Sequence, residues 1–556
     1  MRFARIACGL LLALIGLLVT IAGAVAAFWL VGPDNTIDTG EQSLASKGLA
    51  VMTAPDLIDR HGPKLHLTAS SGKPVFVGVG QDIDVSSYLG AAQYTRVVRF
   101  DLPARFDSQE MTGRAVPLTA PGQLDWWTVK ATGTGKQSIT WPIVDGRYDV
   151  VVMNADGSPG VDAKVTFGIE LKGAFGTCLL VLGGGLVLLF AGLLLMFARR
   201  RNRPLPPVPV MSPVQTTAPL MPYSPPAPKQ STQVRRSAGL ATALLLVTTG
   251  CVAVPTRNVN HQVTTKPAVT LADGQAVVKK YNEVNNQANL TRDAKLSETI
   301  EGNPTLAQTR AGYQIDRKID AAGKDKTKPF TYTDPEIGAP QFSAYPMRFV
   351  VASGISTDPQ SRQLGVWERQ DAGSPWLLTH SVYPTSAMKL PPMAGLRMPV
   401  KADMAKLPVL PQTAGTNLAA YLSGGAKAKQ AALFVPSPGT VNLLTKRAKA
   451  KVDDAKETYI STVVDTFQLS GQPLTFIAAN GEALVFLTLT EQYRQNIEPG
   501  SNAYWTNGAV TAFSSMVKYT QSLHQDYLHQ VALTIPPTGK PRILSIDGQL
   551  VGAGGN

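Results

Sequence analysis

Hydrophobic and polar positions divide the chain into long uncharged apolar runs and segments in which the two kinds of residue alternate. Two of the runs, 6–31 and 174–198, exceed the roughly 20 residues that a helix needs to cross the hydrocarbon core of a bilayer. A third run, 237–254, is shorter and contains several threonines. The pattern predicts transmembrane helices at 6–31 and 174–198 and a weaker third hydrophobic segment at 237–254.

The first run has two interpretations. Its segment Ala24-Val25-Ala26 is similar to the cleavage site of a secretory signal, yet apolar residues continue beyond it through Leu30. A secretory signal has a shorter apolar region and a polar exit. The sequence therefore favours an uncleaved anchor, with a cleaved signal as the alternative.

A cluster of basic residues flanks each run on one side. Short flanks rich in Lys and Arg remain in the cytoplasm. This rule predicts a multi-pass plasma-membrane protein with 1–5 and 199–236 inside the cell, and with 32–173 and everything from about residue 255 outside. The basic residues that determine this topology are Arg2, Arg5, Arg199, Arg200, Arg201, Arg203, Arg235 and Arg236.

The cytoplasmic segment 199–236 is rich in proline and basic residues and contains no acidic residue. Such a composition stays extended and solvated as a semi-rigid spacer, and its charge is attracted to anionic membrane lipid. Arg201, Pro204 and Pro207 also match a motif for aromatic-lined grooves, although proline-rich segments produce this match easily. Much of the net charge of +13 comes from this linker, so the basic balance reflects topology rather than nucleic-acid binding.

The third segment ends in Val247-Thr248-Thr249-Gly250-Cys251, which resembles the end of a bacterial lipoprotein signal. Thr248 replaces the usual leucine of that pattern. The resemblance implies lipidation of Cys251 and cleavage after Gly250, whereas a free cysteine in a third helix would leave the chain intact. The sequence favours the intact chain. All three cysteines lie in apolar runs, which excludes disulfides and thiolate zinc sites from the external domains.

Residues 32–173 contain short segments of alternating apolar and polar residues separated by turn residues. This pattern predicts an antiparallel, all-β, sandwich-like domain. The stretch WPIVDGRYDVVVMNADGSPGV, at 141–161, resembles the extracytoplasmic domain of uncharacterised two-helix membrane proteins of actinobacteria. That resemblance covers about residues 1–200 and implies no activity.

The C-terminal region begins with a linker at 255–268. Two segments follow, 269–400 and 401–556, and in each of them helical patterns precede strand patterns. This order predicts an α+β domain, and it resembles two tandem cone-shaped units of the nuclear-transport-factor-like fold. Asn480-Gly481 between apolar strands predicts a two-residue hairpin turn. The layout from Cys251 onward also resembles that of uncharacterised lipoproteins of actinobacteria.

Candidate catalytic and metal-binding residues are few. His380, His524 and His529 are interpreted as structural, because the spacing of the last two does not place them on one face of a strand or helix. We expect no catalytic residue, no metal site and no cofactor. Five aromatic residues fit either a core or the lining of a cavity, and core packing is the commoner role. They are Trp367, Trp376, Tyr383, Tyr504 and Trp505.

A basic cluster at Lys446, Arg447, Lys449 and Lys451 fits a solvated helix face, because acidic residues follow at helical spacing. The alternative is contact with anionic wall polymer or lipid head groups. Nucleic acid is not an expected partner, because no basic and aromatic residues alternate on one surface.

Two functional hypotheses remain. The first is a non-catalytic, membrane-anchored cell-envelope protein whose two extracytoplasmic modules serve binding or assembly. Its partners would be membrane lipid and an unknown envelope protein or wall polymer. The second is a small-molecule-binding protein or enzyme that uses a cavity in the C-terminal domain. An enzyme would need a buried acid or base in a pocket, which the sequence does not identify, so the first hypothesis is favoured.

Overall fold

The computed structural model describes residues 2–55, 57, 62–101, 105–197, 264–324, 327–515 and 517–556. The chain forms two compact units, one of Met1–Asp82 and Leu89–His261, the other of Ile83–Tyr88 and Gln262–Asn556. The proline-rich linker, the basic residues Arg199, Arg200, Arg201, Arg203, Arg235 and Arg236, and Cys251 with its segment lie outside the described residues.

Two apolar helices pack against each other in the first unit. Helix α1 is Arg2–Val25 and continues as a π-helical segment, Ala26–Val31, and helix α3 is Ala174–Phe197. Both are long and apolar enough to cross a membrane by length and composition. Large apolar side chains on them are exposed, such as Trp29 at 84% and Phe197 at 75%. Exposed apolar surface of this kind is typical of contact with a membrane or with another protein.

Glycines form the contact between α1 and α3. Gly9, Gly16 and Gly23 are seven residues apart on α1, and Gly185 and Gly192 are seven apart on α3. A Cβ at Gly16 would lie 2.3 Å from the backbone nitrogen of Leu189, and a Cβ at Gly192 would lie 2.5 Å from that of Ala13. The backbones therefore approach as closely as small residues allow, in an antiparallel hairpin.

Two sheets form the rest of the first unit. One has the order β1-β11-β4-β9, with β2 also paired to β11, and the other has the order β7-β6-β3-β10-β5-β8. Their inner faces share one core, which includes Leu67 and Val165 from the first sheet and Val77 and Val150 from the second. The predicted sandwich-like domain is confirmed, but the prediction of wholly antiparallel sheets is wrong, because β3 and β6 pair in parallel. The strands are β1 (Thr36–Asp38), β2 (Gln42–Ser46), β3 (Ala50–Thr53), β4 (Lys64–Ser70), β5 (Val75–Gln81), β6 (Tyr94–Asp101), β7 (Arg105–Met111), β8 (Val129–Gly133), β9 (Gln137–Pro142), β10 (Tyr148–Asn154) and β11 (Val161–Glu170). A short helix, α2 (Asp82–Leu89), separates β5 from β6.

The second unit contains two antiparallel four-stranded sheets in which strand neighbours follow chain order. They are β13-β15-β16-β17 and β18-β19-β20-β21, and a small β12-β14 pair accompanies them. The strands are β12 (Lys266–Pro267), β13 (Tyr332–Gly338), β14 (Gln341–Phe342), β15 (Met347–Ile355), β16 (Arg362–Arg369), β17 (Leu377–Val382), β18 (Ile460–Ile477), β19 (Ala483–Ile497), β20 (Ser522–Ile535) and β21 (Arg542–Gly555). The predicted hairpin between β18 and β19 is present, but the predicted two-residue turn is wrong. Ala478 N–H donates to the Glu482 carbonyl and Gly481 N–H donates to the Ala478 carbonyl, so the loop has three residues, 479–481, with Gly481 at φ 82°.

Three helices precede each of these sheets. They are α4 (Leu271–Thr291), α5 (Ala294–Ser297) and α6 (Thr305–Ile319) before the first sheet, and α7 (Lys401–Met404), α8 (Pro411–Gly424) and α9 (Pro438–Asp454) before the second.

Alternation along the strands builds a layered core in this unit. Val350 and Val366 of one sheet and Phe486 and Ala532 of the other share a single cluster, so the two sheets pack face to face. The opposite face of the second sheet packs against α8 and α9 in a cluster that includes Leu418 and Leu444. Successive strand residues point to opposite faces, so one strand serves both layers. The result is a second sandwich-like arrangement, flanked by helices.

Candidate functional site

The candidate site lies where α9 covers the far end of the β18–β21 sheet. Ser437 caps this helix, because its side chain accepts a hydrogen bond from the backbone N–H of Thr440, and Pro438 occupies the first turn. Arg447 and Lys451 are four residues apart and therefore lie on the same face of the helix, toward the sheet. The basic cluster that was predicted to be a solvated helix face is therefore solvated only in part. Two of its four cations, Arg447 and Lys451, face the sheet.

Arg447 forms a buried ion pair with Glu491 of β19. Its Nε donates to Oε1 of Glu491, and its Nη2 donates to Oε2 over 2.9 Å. The Nε2 atom of His529 lies 2.6 Å from the same Oε2. The Glu491 side chain is fully buried. The ring of Tyr527 stacks under the guanidinium at 4.3 Å. Two partners therefore neutralise and hold one buried carboxylate.

The pKa of Glu491 lies below its ordinary value. Burial acts to raise it, but hydrogen bonds from His529 and Arg447 and the charges of these two residues outweigh burial. Glu491 is therefore an ionised structural acceptor at neutral pH.

Asp465 of β18 is a second buried carboxylate in this cluster. Its side chain has no exposed surface, and Lys451 Nζ approaches Oδ2 within 3.2 Å. That contact is an ion pair without hydrogen-bond geometry, so neither oxygen has a hydrogen-bond partner among the described residues. Burial first, and then the charge of Glu491, raise the pKa of Asp465 to about 6 despite the opposing effect of Lys451. Asp465 therefore ionises just below neutral pH.

A cleft of about 590 Å³ opens beside this cluster, between α9, the ends of β19 and β20, and the loop 498–521. This volume falls within the roughly 300–1,000 Å³ typical of small-molecule sites. Aromatic and amide side chains dominate the lining, together with Arg447 and Asp454. The other lining residues are Ala450, Tyr459, Tyr493, Gln495, Asn502, Ala503, Tyr504, Trp505, Asn507, Val510, Leu523 and Gln525.

The charged residues of the cleft already have partners within the protein. Arg447 is paired with Glu491, and Asp454 accepts a hydrogen bond of 2.6 Å from the hydroxyl of Tyr493. The side chains of Gln495, Asn502 and Asn507, in contrast, make no hydrogen bond to any described residue. The cleft side chains that have no described hydrogen-bond partner are consequently neutral amides, and they lie among aromatic rings.

The histidines singled out in the sequence do not converge. His380 lies between the two sheets with its ring centroid 6.2 Å from that of Phe486, and burial lowers its pKa to about 4. His524 Nε2 is 3.5 Å from a carboxylate oxygen of Asp526, whereas His529 contacts Glu491. Within the described residues, no group of three or more His, Cys, Asp or Glu side chains is placed to hold a metal ion.

The five aromatic residues separate into different environments. Tyr504 and Trp505 line the cleft. Trp367 and Trp376 lie in the core beneath the first sheet of the second unit. Tyr383 lies elsewhere, with its hydroxyl 3.1 Å from that of Tyr332.

Glu491 and Asp465 were not identified from the sequence, although the alternation of residues along β19 indicated an inward position for Glu491. Val485, Leu487 and Leu489 are buried on the face of β19 that packs against the helices, and Glu491 continues that period of two. A carboxylate at an inward position needs a buried cation. The partner, Arg447, lies 44 residues away, and its pairing follows from how α9 lies across the sheet.

A second buried carboxylate cluster lies in the first unit. Asp149 of β10 is fully buried, and neither of its oxygens has a hydrogen-bond partner among the described residues. Burial, and next the neighbouring charge of Asp82, raise the pKa of Asp149 to about 8, although Arg96 and Arg147 act in the opposite direction. Asp149 is therefore mostly protonated at neutral pH.

Of the topology-determining arginines, only Arg5 has a described side-chain contact. Its guanidinium donates to the backbone carbonyl of Leu195 over 3.2 and 3.3 Å. The start of α1 therefore lies beside the end of α3.

Residues 265–555 match the model of a family described as a domain of unknown function (DUF8094). An uncharacterized lipoprotein of Streptomyces avermitilis is 25% identical over 306 residues, which cover 54% of this chain and 88% of the relative. An uncharacterized lipoprotein of Streptomyces coelicolor is 26% identical over 164 residues, which cover 28% of this chain and 46% of the relative. The resemblance to actinobacterial lipoproteins is thereby confirmed. No solved structure matches the chain.

Proposed function

This chain belongs to the family described as a domain of unknown function (DUF8094), and we propose that it is a non-catalytic cell-envelope protein. In this proposal α1 and α3 anchor the chain in the plasma membrane, and its two sandwich-like units serve binding or assembly outside the cell. The hairpin of α1 and α3 is the observation that carries the proposal.

Three features support the membrane anchor. The contact between α1 and α3 consists of small residues, which is typical of helices that associate in lipid. Their remaining surfaces expose large apolar side chains. The contact of Arg5 with Leu195 brings the start of α1 beside the end of α3, which is compatible with a cytoplasmic location of both ends.

The relatives support an extracytoplasmic location for the second unit. Two of them are named lipoproteins, a class that is anchored at the membrane surface by lipid on a cysteine. In this chain Cys251 precedes the matched region 265–555. Either a lipidated Cys251 or a third helix would hold the second unit outside, near the membrane.

The cleft supports binding in preference to catalysis. Enzymes need an acid, base or nucleophile that is free to reach a substrate. Among the described residues that line the cleft, the two charged side chains are held by Glu491 and Tyr493. Asp465 has a shifted pKa but does not line the cleft.

The nuclear-transport-factor-like interpretation of the second unit remains part of this proposal. Helices precede a four-stranded meander in each half, and one cavity lies between a helix and the curved end of a sheet. That arrangement suits two tandem units that pack sheet against sheet, with a ligand cavity at the mouth of the second.

Reporter fusions test the anchor and its topology. Alkaline phosphatase fused after residue 120 or residue 400 should be active, because both sites would be extracytoplasmic. A fusion after residue 215 should be inactive, and a fluorescent protein that folds only in the cytoplasm should show the reverse pattern. An active phosphatase at 215, or release of the full chain from membranes by alkaline carbonate, would refute the proposed anchor.

A further inference from the structure

The aromatic and amide lining of the cleft identifies a chemical class of ligand. We propose that the cleft binds a neutral saccharide chain. The inference rests on the proposed function in one respect, because a saccharide of the cell envelope reaches the cleft only if the second unit is outside the cell. The rest of the inference is based on the chemistry of the residues that line the cleft.

Aromatic rings supply the first part of the argument. Tyr504 is 40% exposed, and its neighbour Trp505 is partly exposed beside the core residues Ala503 and Leu523. The face of an aromatic ring carries partial negative charge, so it attracts the weakly positive C–H groups on the face of a pyranose ring. Trp505 is held in place by an edge contact with Tyr519 at 6.2 Å. The cleft therefore offers two neighbouring aromatic rings on which a sugar can stack.

Amide side chains supply the second part. Gln495, Asn502 and Asn507 each carry two donors and an acceptor, and none of these groups is used within the described protein. A sugar hydroxyl donates one hydrogen bond and accepts others, so neighbouring amides can satisfy it in both directions. An apolar ligand would leave these amides without partners, which costs free energy on binding.

Charge argues for a neutral ligand. An anionic ligand would need a free cation, but Arg447 already donates to both oxygens of Glu491. Arg447 retains N–H donors that Glu491 does not use, but the buried Glu491 carboxylate beside it would repel an anion. Asp454 accepts from Tyr493 through Oδ2, so its Oδ1 remains able to accept a hydrogen bond from a ligand. Hydroxyl groups can use both sets of remaining positions without adding a formal charge.

The rim of the cleft is compatible with a polymer. Asn502 and Asn507 are exposed at its edge, whereas Tyr493 lies buried at its base. A chain of sugars could thus fill the cleft with one or two residues and continue past the rim.

Titration of the full chain in detergent micelles tests the proposal. The neutral probes are chitotetraose and cellotetraose, which differ in their acetamido groups. Tetra-alanine represents a peptide ligand, and polyglycerol phosphate represents an anionic wall polymer. Calorimetry reports binding, and quenching of tryptophan fluorescence reports contact with an aromatic ring.

Variants locate the site. Asn507→Ala, on an exposed side chain, should weaken saccharide binding about tenfold, which corresponds to the loss of about 1.4 kcal/mol. Trp505→Ala should weaken it further, and Trp505→Phe should restore much of the affinity because stacking survives. Gln360→Ala is the matched control, because Gln360 lines a separate cavity. The thermal transition of each variant shows whether it is folded.

The outcomes separate this inference from the proposed function. Saccharide binding that Asn507→Ala weakens and Gln360→Ala does not would establish the site. The absence of binding by both saccharides, preference for the peptide or the polyanion, or affinity unchanged in both cleft variants would each overturn it. Correct reporter topology in those cases would leave the membrane-anchored protein standing without a saccharide site.

Discussion

Gly16 of α1 lies against the backbone of Gly185 on α3, and a Cβ at Gly16 would be 2.9 Å from the Gly185 carbonyl oxygen. No side chain separates the two helices at this point. The hairpin therefore depends on the absence of a Cβ at specific positions, in addition to its general hydrophobicity.

Gly16→Leu should force α1 and α3 apart. Overpacking of a close contact costs about 1–3 kcal/mol, so the hairpin should unfold at a lower SDS fraction, as measured by far-UV circular dichroism in mixed micelles. Gly183→Leu is the control, because a Cβ at Gly183 meets nothing within 4 Å. Equal effects of the two substitutions would show that helix hydrophobicity, and not the glycine contact, determines the hairpin.

Arg447→Met should strongly destabilise the second unit. It leaves Glu491 buried with only His529, and breaking one side of a buried pair costs about 3–5 kcal/mol. The double variant Arg447→Met with Glu491→Met should recover most of that loss, because the buried carboxylate is removed together with its cation. Urea unfolding followed by tryptophan fluorescence measures both. A double variant no more stable than the single one would contradict this account.

Asp465→Asn should change how the stability of the second unit depends on pH. The folded-state pKa of Asp465, about 6, lies above its unfolded value of about 4, so the folded protein binds this proton more tightly. The contribution of Asp465 to the free energy of unfolding therefore falls as pH rises from about 4 to 6. In the variant this decrease should be absent, so its free energy of unfolding above pH 6 should exceed that of the parent by about 1–3 kcal/mol.

The comparison that isolates Asp465 is urea unfolding of parent and variant across the same pH range. Glu491 contributes in the opposite sense, because its pKa is lowered and its stabilisation is lost as pH falls. Because the charges of Glu491 and Asp465 interact, the difference between parent and variant includes the loss of their mutual repulsion. Asp453→Asn, which changes an exposed ion pair with Lys449, should leave the profile nearly unchanged.

Asp149→Asn should have the corresponding effect on the first unit. Because burial raises the pKa of Asp149 to about 8, its contribution to stability falls as pH rises from about 4 to 8. Hydrogen exchange of the β10 amides, corrected for intrinsic rates, should accelerate with pH in the parent and not in the variant. Asp162→Asn, at an exposed position on β11, should behave as the parent.

Cys251 distinguishes a tethered chain from a cleaved lipoprotein. For the intact chain, an antibody against the C-terminus should detect a species near 59 kDa that Cys251→Ala leaves unchanged. A shorter band that disappears in Cys251→Ala would instead show cleavage after Gly250. In the tethered case the linker holds both external units at high effective concentration.

Local patterns in the sequence were sufficient for much of the fold. Alternation identified the sandwich-like first domain, and Asn480-Gly481 located the hairpin between β18 and β19, although the loop has three residues and only Gly481 adopts positive φ. The apolar runs identified α1 and α3. Each of these features depends on residues that are close together in the chain, so composition and spacing are enough to predict it.

The site depended on contacts that are distant in the chain. Arg447 appeared to belong to an exposed basic cluster, yet it turns inward because Glu491 occupies an inward position on β19. Tyr504 and Trp505 could equally have been core residues, because exposure is decided by the course of the loop 498–521. The seven-residue spacing of glycines in α1 and α3 is visible in the sequence. That these glycines face each other across the two helices is evident only from the antiparallel packing in the structure.

The two ends of the sheet β18–β21 differ in role, because one end packs in the core and the other borders the cleft. The apolar core contacts of the sheet concentrate around Phe486, Val531 and Ile543, whereas the cleft lies toward Tyr493 and Gln525. Substitutions at the cleft rim are therefore remote from the packing that holds the sheets together. For the saccharide site that we propose, recognition can therefore change while the scaffold is retained, and a laboratory selection for altered binding can randomise Asn502, Tyr504 and Asn507 with little risk to folding.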